Sequence, residues 1–399
     1  MTETSQPSAP APLEGVLVAD FSRVLAGPLA TMTLADLGAR VIKVERPGAG
    51  DDTRAWGPPY SPHAATYFEG VNRNKESVAL DLKDPADVHR ARRLAARADV
   101  VIENFLPGTL DRLGIGYDDV ARDNPGVIYV SVTGFGSAGG ARMPGYDFVV
   151  QALGGLMHIT GEPDGDPMKV GVALVDVLTG KDAVIGVLAA LRRREHTGLG
   201  SRIEVSLLSS LQGALANQAS AYLGAGVSPT RLGNVHPSIA PYELLRCADG
   251  PLAIAAGNDA QFAKLVQTLG IPELAQDDRF RTNSDRVAHR AEMRDALEAA
   301  LATATAAEWQ ERLTAAGVPA GQAGDIADGL AFAERIGLEP TIEVVDDAGV
   351  SHGRQVRHPV LWHPAFEPPR RAAPALDEHG DDVRAWLDAP ETADGDAVG

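Results

Sequence analysis

Cysteine is nearly absent from this sequence, and its scarcity excludes two kinds of protein. The 399 residues include one cysteine, Cys247. A single cysteine excludes an intramolecular disulfide framework and a zinc site built from cysteines. The amino-terminal segment MTETSQPSAPAPLEG has neither the cationic nor the apolar region of a signal peptide. Together these features predict a cytoplasmic protein.

Long apolar runs and an excess of positive charge are also missing. No stretch reaches the roughly 18 apolar residues that a membrane-spanning helix needs, so we expect no membrane segment. The chain has 36 Lys and Arg against 54 Asp and Glu, a formal net charge of −18. So acidic a chain disfavours general binding to nucleic acids or anionic membranes. An anionic ligand would therefore need a local concentration of basic side chains.

What the sequence does contain is apolar runs of strand length that alternate with helical segments. The predicted strands are residues 15–19, 39–45, 77–82, 99–104 and 126–136. Apolar strands separated by helices are typical of a doubly wound parallel sheet, so the predicted fold class is α/β. Ligands of such sheets bind beyond the carboxyl ends of the strands. The segments expected to carry the site are therefore 20–28, 45–54, 104–112 and 133–146.

The second half of the chain predicts a further, smaller unit. A long helix is expected over residues 177–196, and a strand follows at 202–208. Residues 224–240 contain Gly, Pro and Ser without periodicity and read as a linker. Residues 241–332 are predicted as a smaller α+β unit.

Asp176 is distinguished by its surroundings. It lies in the otherwise apolar segment 170–178, just before the long predicted helix. An aspartate there can be an N-cap that accepts the free N–H groups of the first turn. It can also be a nucleophile that the helix N-terminus holds ionised in a dry pocket. The two roles are compatible, because capping would orient the carboxylate and lower its pKa.

Basic residues are concentrated before residue 115. Those on or near predicted strand ends and loops are Lys43, Arg46, Arg54, Arg73, Lys75, Lys83 and Arg112. Each alone can be an ordinary solvated charge, but as a group in an acidic protein they suggest a phosphorylated ligand. The first strand is not followed by G-x-G-x-x-G, and no GKS or GKT loop occurs, which disfavours the usual dinucleotide and nucleoside triphosphate sites.

Four segments carry a resemblance to a known family. They are DFSRVLAGPLATMTLADLGARVIKVERPGAGDDTR (20–54), NRNKESVALDLKDP (72–85), VIENFLPGTLDRLG (101–114), and PGYDFVVQALGGLMHITG with KVGVALVDVLTG (144–180). In this order they resemble the class III coenzyme A transferases, or CaiB/BaiF family. That family includes formyl-CoA transferase and is related to α-methylacyl-CoA racemase. The similarity covers roughly the whole chain and is strongest before residue 210.

The resemblance implies an architecture and a ligand. A Rossmann-like large domain is expected from residues 1–224 and 333–399, with 1–12 as a disordered tail, and a small α+β domain from 225–332. Two subunits are expected to interlock as threaded rings in a homodimer. Coenzyme A or acyl-CoA is the expected substrate and a small carboxylic acid its partner. Neither a metal nor a nucleotide cofactor is expected.

The same resemblance assigns the site. Asp176 matches the family's catalytic nucleophile. The positions that match the coenzyme A path are Val24, Ala26, Arg46, Leu80, Lys83, Asn104, Phe105, Arg112 and Leu113. Tyr146 and Asp147 match positions beside the reacting thioester. Arg46 is expected near the adenine and its phosphates, in agreement with the charge argument.

Some residues differ from those of individual family members, and these differences limit which reactions are expected. Leu25 stands where formyl-CoA transferase has a glutamine over the intermediate, and GNVHPSIAPY (233–242) replaces its glycine-rich loop. Formate–oxalate chemistry is therefore disfavoured. The racemases have an acid/base histidine where this chain has Tyr146, and a tyrosine hydroxyl is a poor base at neutral pH. This difference favours transfer over racemisation.

The resulting hypothesis is a transferase that moves CoA from an acyl-CoA, such as succinyl-CoA, to a small dicarboxylic acid through an aspartyl-CoA thioester on Asp176. A distal carboxylate needs a cation or a donor, for which His158, His236, Arg54 and Arg73 are candidates. Two alternatives stay open. One is a 2-methylacyl-CoA racemase that uses Asp176 and another group, such as His158, as acid and base. The other is a CoA-binding regulator without chemistry.

Overall fold

The chain divides into two compact units in the computed structural model, which describes residues 9–390. The first unit comprises residues 9–156, 169–227 and 339–390, and the second comprises 157–168 and 228–338. The segment 157–168 was not part of the small domain expected from the sequence. Residues 1–8 of the predicted disordered tail lie outside the described residues.

Strands and helices alternate through most of the described chain. The strands are β1 (Leu17–Asp20), β2 (Arg40–Glu45), β3 (Lys75–Ala79), β4 (Val100–Glu103), β5 (Ile128–Thr133), β6 (Ser201–Ser206), β7 (Tyr242–Arg246), β8 (Pro251–Ala255), β9 (Ala320–Gln322), β10 (Thr341–Val345) and β11 (Ser351–Val356). The α-helices are α1 (Ala26–Asp36), α2 (Thr66–Glu69), α3 (Pro85–Arg97), α4 (Tyr117–Asp123), α5 (Asp147–Leu153), α6 (Leu156–Ile159), α7 (Leu174–Thr197), α8 (Leu207–Ala214), α9 (Ala216–Ala225), α10 (Asp259–Thr268), α11 (Asn283–Ala288), α12 (Arg290–Leu301), α13 (Ala306–Ala315), α14 (Ile326–Arg335) and α15 (Gly380–Asp388). Within residues 9–390, none of these helices combines the length and apolar composition needed to cross a bilayer.

The first unit is built on a six-stranded sheet with the order β3-β2-β1-β4-β5-β6. All neighbouring strands are parallel, which confirms the predicted α/β class with a parallel sheet. This is the strand order of doubly wound dinucleotide-binding sheets. The order reverses between β1 and β4, so the expected binding crevice lies beyond the carboxyl ends of these two strands.

Both faces of this sheet are buried, as the continuous apolar strands require. Successive side chains of a strand point to opposite faces. Val18 belongs to the core that packs under α1, α7 and α8, whereas its neighbour Ala19 belongs to the core under α3, α4 and α15. Helix α15, near the carboxyl end of the described chain, thus covers the same sheet as the amino-terminal helices.

Local sequence signals explain where the helices of this unit begin and end. The side chain of Asp84 accepts the N–H groups of Ala86 and Asp87, and Pro85 occupies the first position of α3. Helix α7 ends at Gly198, whose φ of 71° lies in the left-handed region that glycine adopts without strain.

The second unit has a sheet of its own. Strands β7, β8 and β9 pair antiparallel in that order, and α10, α12 and α13 contribute to the core beside them. The buried guanidinium of Arg286 donates to the carbonyl oxygens of Ala240 (2.7 Å) and Phe280 (2.9 Å) and to Asp259 (2.7 Å). All of these groups lie within the second unit, so the arginine crosslinks its loops.

Candidate functional site

A cleft of about 280 Å³ opens at the carboxyl edge of the parallel sheet. The lining consists of residues 23–26, 104–107, 132–136, 140–141, 143–146, Asp176 and Leu207. The loops after β1, β4 and β5 therefore meet the first turn of α7 here. This is the crevice that the strand order predicts, and three of the four segments selected from the sequence contribute to it.

Six residues assigned by the resemblance line this cleft together. They are Val24, Ala26, Asn104, Phe105, Tyr146 and Asp176. Because they come from four separate segments of the chain, the fold has brought together residues that only family matching had connected.

The other assigned residues lie elsewhere in the first unit. Leu80 is buried in the core between the sheet and α3, and Leu113 packs against that core. Arg46, Lys83 and Arg112 are exposed. The Arg46 guanidinium donates to Asp52 at 2.6 Å. Asp147 is not among the residues that line the cleft, and its carboxylate accepts the backbone N–H of Asp176.

Asp176 occupies the first turn of α7 and is half-buried. The predicted N-cap role is wrong, because α7 begins at Leu174 rather than 177 and its N-cap residue is Ala173. The predicted direction of the pKa shift is wrong as well. Burial raises the pKa of Asp176 to about 7, and the negative charge of Asp147 raises it further.

Asp147 is the carboxylate that satisfies the start of α7. Its Oδ1 accepts the backbone N–H groups of Val175 at 2.7 Å and Asp176 at 3.2 Å. Its Oδ2 accepts Nε2 of the fully buried Gln151 at 2.5 Å, and Gln151 Oε1 accepts the N–H of Val170 at 3.0 Å. Asp147 and Gln151 together fix the segment that carries Asp176.

The loop after β1 is held in a strained conformation at the cleft. Val24 has a φ of 72°, which is rare for a β-branched residue. The Asp51 carboxylate accepts the N–H of Val24 at 3.2 Å. On the other side, Asn104 Oδ1 accepts the N–H of Arg23 at 2.9 Å while Asn104 Nδ2 donates to the Arg23 carbonyl at 2.7 Å. These bonds offset the strain and fix the cleft wall.

Two fully buried ion pairs lie next to the loop after β1. Lys43 pairs with Asp51 at 2.9 Å, and Lys75 pairs with Asp20 at 3.1 Å. Lys43 Nζ also donates to the carbonyl of Ser22 at 2.9 Å. Burial alone would raise the pKa of Asp20, but the Lys75 and Lys43 charges outweigh it and lower that pKa to about 2. Asp20 is therefore ionised at neutral pH.

The interpretation of the basic stretch as a phosphate site is wrong for four of its seven members. Lys43 and Lys75 are fully buried and paired with Asp51 and Asp20, so neither can contact a phosphate. Arg54 donates two bonds to Glu45 at 2.8 and 2.7 Å, and Arg73 donates two to Asp36 at 2.8 and 2.5 Å. The sequence pattern failed because these basic side chains are paired with buried carboxylates, and the sequence alone does not show that pairing.

The two candidate histidines belong to the second unit. The His158 carbonyl accepts the Arg231 guanidinium at 3.0 Å, and Nδ1 of His236 accepts the N–H of Ser238 at 3.1 Å. Both contacts lie within that unit.

Sequence reasoning missed Arg23 and Tyr67 as residues of this region. Arg23 lines the cleft, and the signal available was its position three residues after β1 within a segment already selected. Tyr67 lies on α2 with its ring edge-on to Trp56, 5.3 Å between centroids. Burial, followed by the charges of Asp176, Asp147 and Asp51, raises the pKa of Tyr67. No sequence signal connects Tyr67 to the site.

One group of side chains in residues 9–390 is close enough to hold a metal ion. It consists of Asp347, Glu378 and His379. Nδ1 of His379 accepts the N–H of Ser77 at 3.2 Å, and the Arg371 guanidinium lies 2.9 Å from its Nε2. A guanidinium so close to the ring opposes a cation there, so this group is better explained as a hydrogen-bonded junction with β3.

Known proteins match this chain over nearly its whole length. The family model described as CoA-transferase family III matches residues 13–380. The chain belongs to CoA-transferase family III. The predicted class III, or CaiB/BaiF, resemblance is thereby confirmed.

Curated relatives of this CoA-transferase carry names that specify the reaction. Succinate–glutarate CoA-transferase from Agrobacterium fabrum is 43% identical over 402 residues, covering 97% of this chain and 98% of the relative. Succinyl-CoA:glutarate CoA-transferase from Mus musculus is 47% identical over 318 residues, covering 79% of this chain and 73% of the relative. Acetyl-CoA:oxalate CoA-transferase from Acetobacter aceti is 41% identical, covering 98% and 100%. These names favour transfer over racemisation, so the protein is an enzyme that transfers coenzyme A.

Solved structures share the fold of this CoA-transferase. A CaiB/BaiF family protein from Brucella suis has a TM-score of 0.84 and 45% identity, covering 95% of this chain and 100% of that one. A hypothetical protein from Mycobacterium tuberculosis has a TM-score of 0.83 and 34% identity, covering 94% and 99%.

Proposed function

We propose that this CoA-transferase moves coenzyme A from succinyl-CoA, or a similar acyl-CoA, to a small dicarboxylic acid, and that Asp176 carries the CoA between them. The observation that carries the proposal is the half-buried Asp176 carboxylate in a cleft at the switch point of the sheet. The names of the mouse and Agrobacterium relatives support the succinate and glutarate chemistry.

The first half-reaction proceeds in two steps. A carboxylate oxygen of Asp176 attacks the thioester carbonyl of the donor, the C–S bond breaks, and CoA leaves as the thiolate. The product is an acyl-aspartyl anhydride. The thiolate then attacks the aspartyl carbonyl and displaces the donor acid as its carboxylate. The enzyme is left with an aspartyl-CoA thioester.

The second half-reaction reverses these steps with the acceptor. The acceptor carboxylate attacks the aspartyl-CoA carbonyl and releases the CoA thiolate, which forms the second anhydride. The thiolate attacks the acceptor's carbonyl carbon, and ionised Asp176 is regenerated. Each step exchanges one activated acyl group for another, so the cycle balances without ATP and without net proton transfer.

The surroundings of Asp176 suit a carboxylate nucleophile. A pKa of about 7 leaves a substantial ionised fraction at neutral pH and makes that carboxylate more basic than an exposed one. Apolar residues such as Leu25, Phe135 and Leu207 line the same cleft. An apolar wall limits the access of water, which would otherwise hydrolyse the anhydride.

The coenzyme A path follows from the family assignment. Val24, Ala26, Asn104 and Phe105 line the cleft that would receive the thioester end. The exposed cations Arg46, Lys83 and Arg112 are the groups that would contact the phosphates outside it. Leu80 and Leu113 would act from the core by supporting the adjacent loops. Tyr146 would lie beside the thioester, and Asp147, which does not line the cleft, would hold the first turn of α7 in place there.

The proposal includes an interlocked homodimer and a cytoplasmic location. Large apolar side chains are exposed on α5, α7 and α9, among them Phe148, Leu153, Ile185 and Leu223. Such a set is more than a monomer's surface normally leaves uncovered, and a partner subunit would bury it. Domains close to the expected 1–224 with 333–399 and 225–332 stay part of this proposal, with the segment 157–168 added to the smaller one. The single cysteine supports the location.

Intact-mass spectrometry tests the covalent step. The purified enzyme is incubated with succinyl-CoA and compared with Asp176→Ala. The expected result is an adduct the size of CoA, in the native enzyme only, that hydroxylamine removes because it cleaves thioesters. An adduct of equal yield in Asp176→Ala, or none with any acyl-CoA of a wide panel, would overturn the proposal.

A matched variant controls for the loss of a carboxylate from α7. Asp182 lies on the same helix, is exposed, and accepts a hydrogen bond from Ser210 at 2.7 Å. Asp182 does not line the cleft, so Asp182→Ala should form the adduct at the native rate.

A further inference from the structure

Arg23 supplies the positive charge of the cleft. Among the cleft-lining residues that the structure describes, the charged side chains are Arg23 and Asp176. The remaining lining is apolar, or polar without charge. Any second anionic group that enters this cleft with the thioester therefore meets one cation, the Arg23 guanidinium.

The Arg23 guanidinium contacts Asp52 and Phe105, but not all of its N–H groups have a partner. Its Nη1 lies 3.3 Å from Asp52 Oδ2, and its Cζ lies 5.4 Å from the centre of the Phe105 ring. The Nε atom is buried and has no hydrogen-bond partner within the described chain. The side chain as a whole is 37% exposed, so an anion can approach the guanidinium through its Nη groups.

Asp52 does not neutralise Arg23 fully, because it is shared. The other oxygen of the same carboxylate accepts Arg46 at 2.6 Å, a shorter contact than the 3.3 Å to Arg23. Two guanidinium groups thus face one carboxylate, which leaves a net positive charge. Arg54 and Arg73, by contrast, each hold a carboxylate of their own with two hydrogen bonds.

The backbone of Arg23 is fixed before any substrate binds. Asn104 holds its N–H and its carbonyl, and the next residue, Val24, is held by Asp51. A side chain on such a fixed backbone loses less entropy on binding than one on a mobile loop.

We propose that Arg23 binds the distal carboxylate of the dicarboxylic acyl group and so determines the enzyme's preference for dicarboxylic over monocarboxylic acids. This inference rests on the proposed function, because it takes the acyl group to react at Asp176. The planar guanidinium presents several N–H donors in a fork that matches the two oxygens of a carboxylate.

The size of the cleft favours the acid's own carboxylate over a CoA phosphate as the anion at Arg23. In a five-carbon dicarboxylic acid the two carboxyl carbons lie about 5 Å apart, whereas the extended pantetheine arm places the phosphates roughly 15 Å from the sulfur. The cleft that holds both Arg23 and Asp176 measures about 280 Å³. That volume is at or below the lower end of sites for drug-sized ligands, which are smaller than coenzyme A.

The test compares two donors that differ in the distal carboxylate alone. The rate of CoA-adduct formation is measured with succinyl-CoA and with butyryl-CoA for the native enzyme, Arg23→Met and Arg23→Lys. Calorimetry on the same proteins measures binding of CoA, of glutarate and of pentanoate. The preference for succinyl-CoA should fall roughly 100-fold in Arg23→Met, because a site that pairs with a polar group discriminates strongly against its absence. Arg23→Lys should recover part of it.

Two further variants separate acid recognition from other effects. Lys83→Met removes an exposed cation proposed to contact the CoA phosphates and should weaken CoA binding without changing the donor preference. Arg122→Met removes an exposed charge that is paired with Asp119 at 3.3 Å and does not line the cleft, so it should change neither CoA binding nor the donor preference.

Each outcome bears on a different claim. An equal loss with both donors, together with weaker CoA binding in Arg23→Met, would overturn the inference in favour of a phosphate contact. An unchanged preference and unchanged glutarate binding would overturn it outright while leaving the transferase function intact. If the native enzyme formed no adduct, the proposed function would fall and the inference about donor preference with it, and a loss of glutarate binding in Arg23→Met would then assign Arg23 to dicarboxylate binding alone.

Discussion

The side chain of Asp147 accepts a hydrogen bond from the backbone N–H of Asp176, with 3.2 Å between the two atoms. One carboxylate therefore caps the helix that carries the proposed nucleophile and also places a negative charge beside it. The cap stabilises the position of Asp176, whereas the charge opposes its ionisation and raises its pKa. The pH dependence of the reaction should consequently report on Asp147.

Replacing Asp147 by asparagine should move the acidic limb of the pH–rate profile to lower pH. The amide oxygen can still accept the two N–H groups of α7, but the negative charge that raises the Asp176 pKa is gone. We expect the native midpoint near pH 7, as the pKa of Asp176 requires. The rate of adduct formation with succinyl-CoA, measured from pH 5 to pH 9, checks this.

Gln151→Leu is the matched control for that experiment. It removes the hydrogen bond to Asp147 Oδ2 but leaves the Asp147 charge in place. The acidic limb of the pH–rate profile of Gln151→Leu should not move to lower pH. A downward shift of equal size in both variants would show that disturbance of the segment, rather than charge, sets the profile.

Asp176→Asn should stabilise the protein at pH 8 but not at pH 4. A folded-state pKa of about 7 exceeds the usual value of about 3.9 in an unfolded chain, so the folded state binds this proton more tightly. Ionisation of Asp176 then costs no folding free energy below pH 4, an increasing amount up to pH 7, and the full amount above it. Allowing for partial exposure, we expect a gain of about 1–2 kcal/mol in the variant at pH 8.

Urea unfolding of both proteins at pH 4 and pH 8 measures that difference. A gain of the same size at both pH values would assign the effect to packing instead of ionisation.

Lys75→Met should strongly destabilise the first unit. Both side chains of the Lys75–Asp20 pair are fully buried, and removing one partner of a buried ion pair typically costs about 3–5 kcal/mol. Asp20 also accepts the N–H and the hydroxyl of Ser22, so the loop after β1 should loosen. Adduct formation should then slow even under conditions where the variant is folded.

Two further variants serve as controls for Lys75→Met, and the urea midpoint of unfolding is measured for each. Lys264→Met changes an exposed lysine on α10 and should alter stability by less than about 0.5 kcal/mol. The double variant Asp20→Asn with Lys75→Met should recover part of the loss, because no unpaired charge is left next to the gap. A single variant as stable as the native protein would contradict the assigned burial.

The parallel sheet could be predicted from the sequence because its signals are local. The run GVLVA before Asp20 is continuously apolar, which marks a strand buried on both faces, and ARVIKVE before Arg46 has Val41, Ile42 and Val44 at its centre. The prediction for β3 was displaced because the strand begins at Lys75 rather than 77. Hydrophobic patterning does not predict that a strand begins at a lysine, and Lys75 is buried only because it pairs with Asp20.

The site could be predicted only in part because its supports are distant in sequence. Family matching assigned Asp176, but the carboxylate that caps α7 comes from Asp147, 29 positions earlier. The sequence alone favours Lys43 and Lys75 as ligands of phosphate, because charged residues are usually exposed. Their partners Asp51 and Asp20 are recognised only in the fold.

An oxygen-isotope experiment tests the central claim, covalent carriage of CoA by Asp176, most directly. The enzyme turns over succinyl-CoA with glutarate whose carboxylates carry ¹⁸O. Each cycle of the anhydride route passes one acceptor oxygen to Asp176 and one Asp176 oxygen to the released succinate. With enzyme in excess over succinyl-CoA, the account predicts unlabelled succinate in the first turnover, and succinate that approaches one ¹⁸O per molecule over many turnovers. Succinate that carries one ¹⁸O already in the first turnover, as direct attack of glutarate on succinyl-CoA would give, or that stays unlabelled throughout, would contradict it.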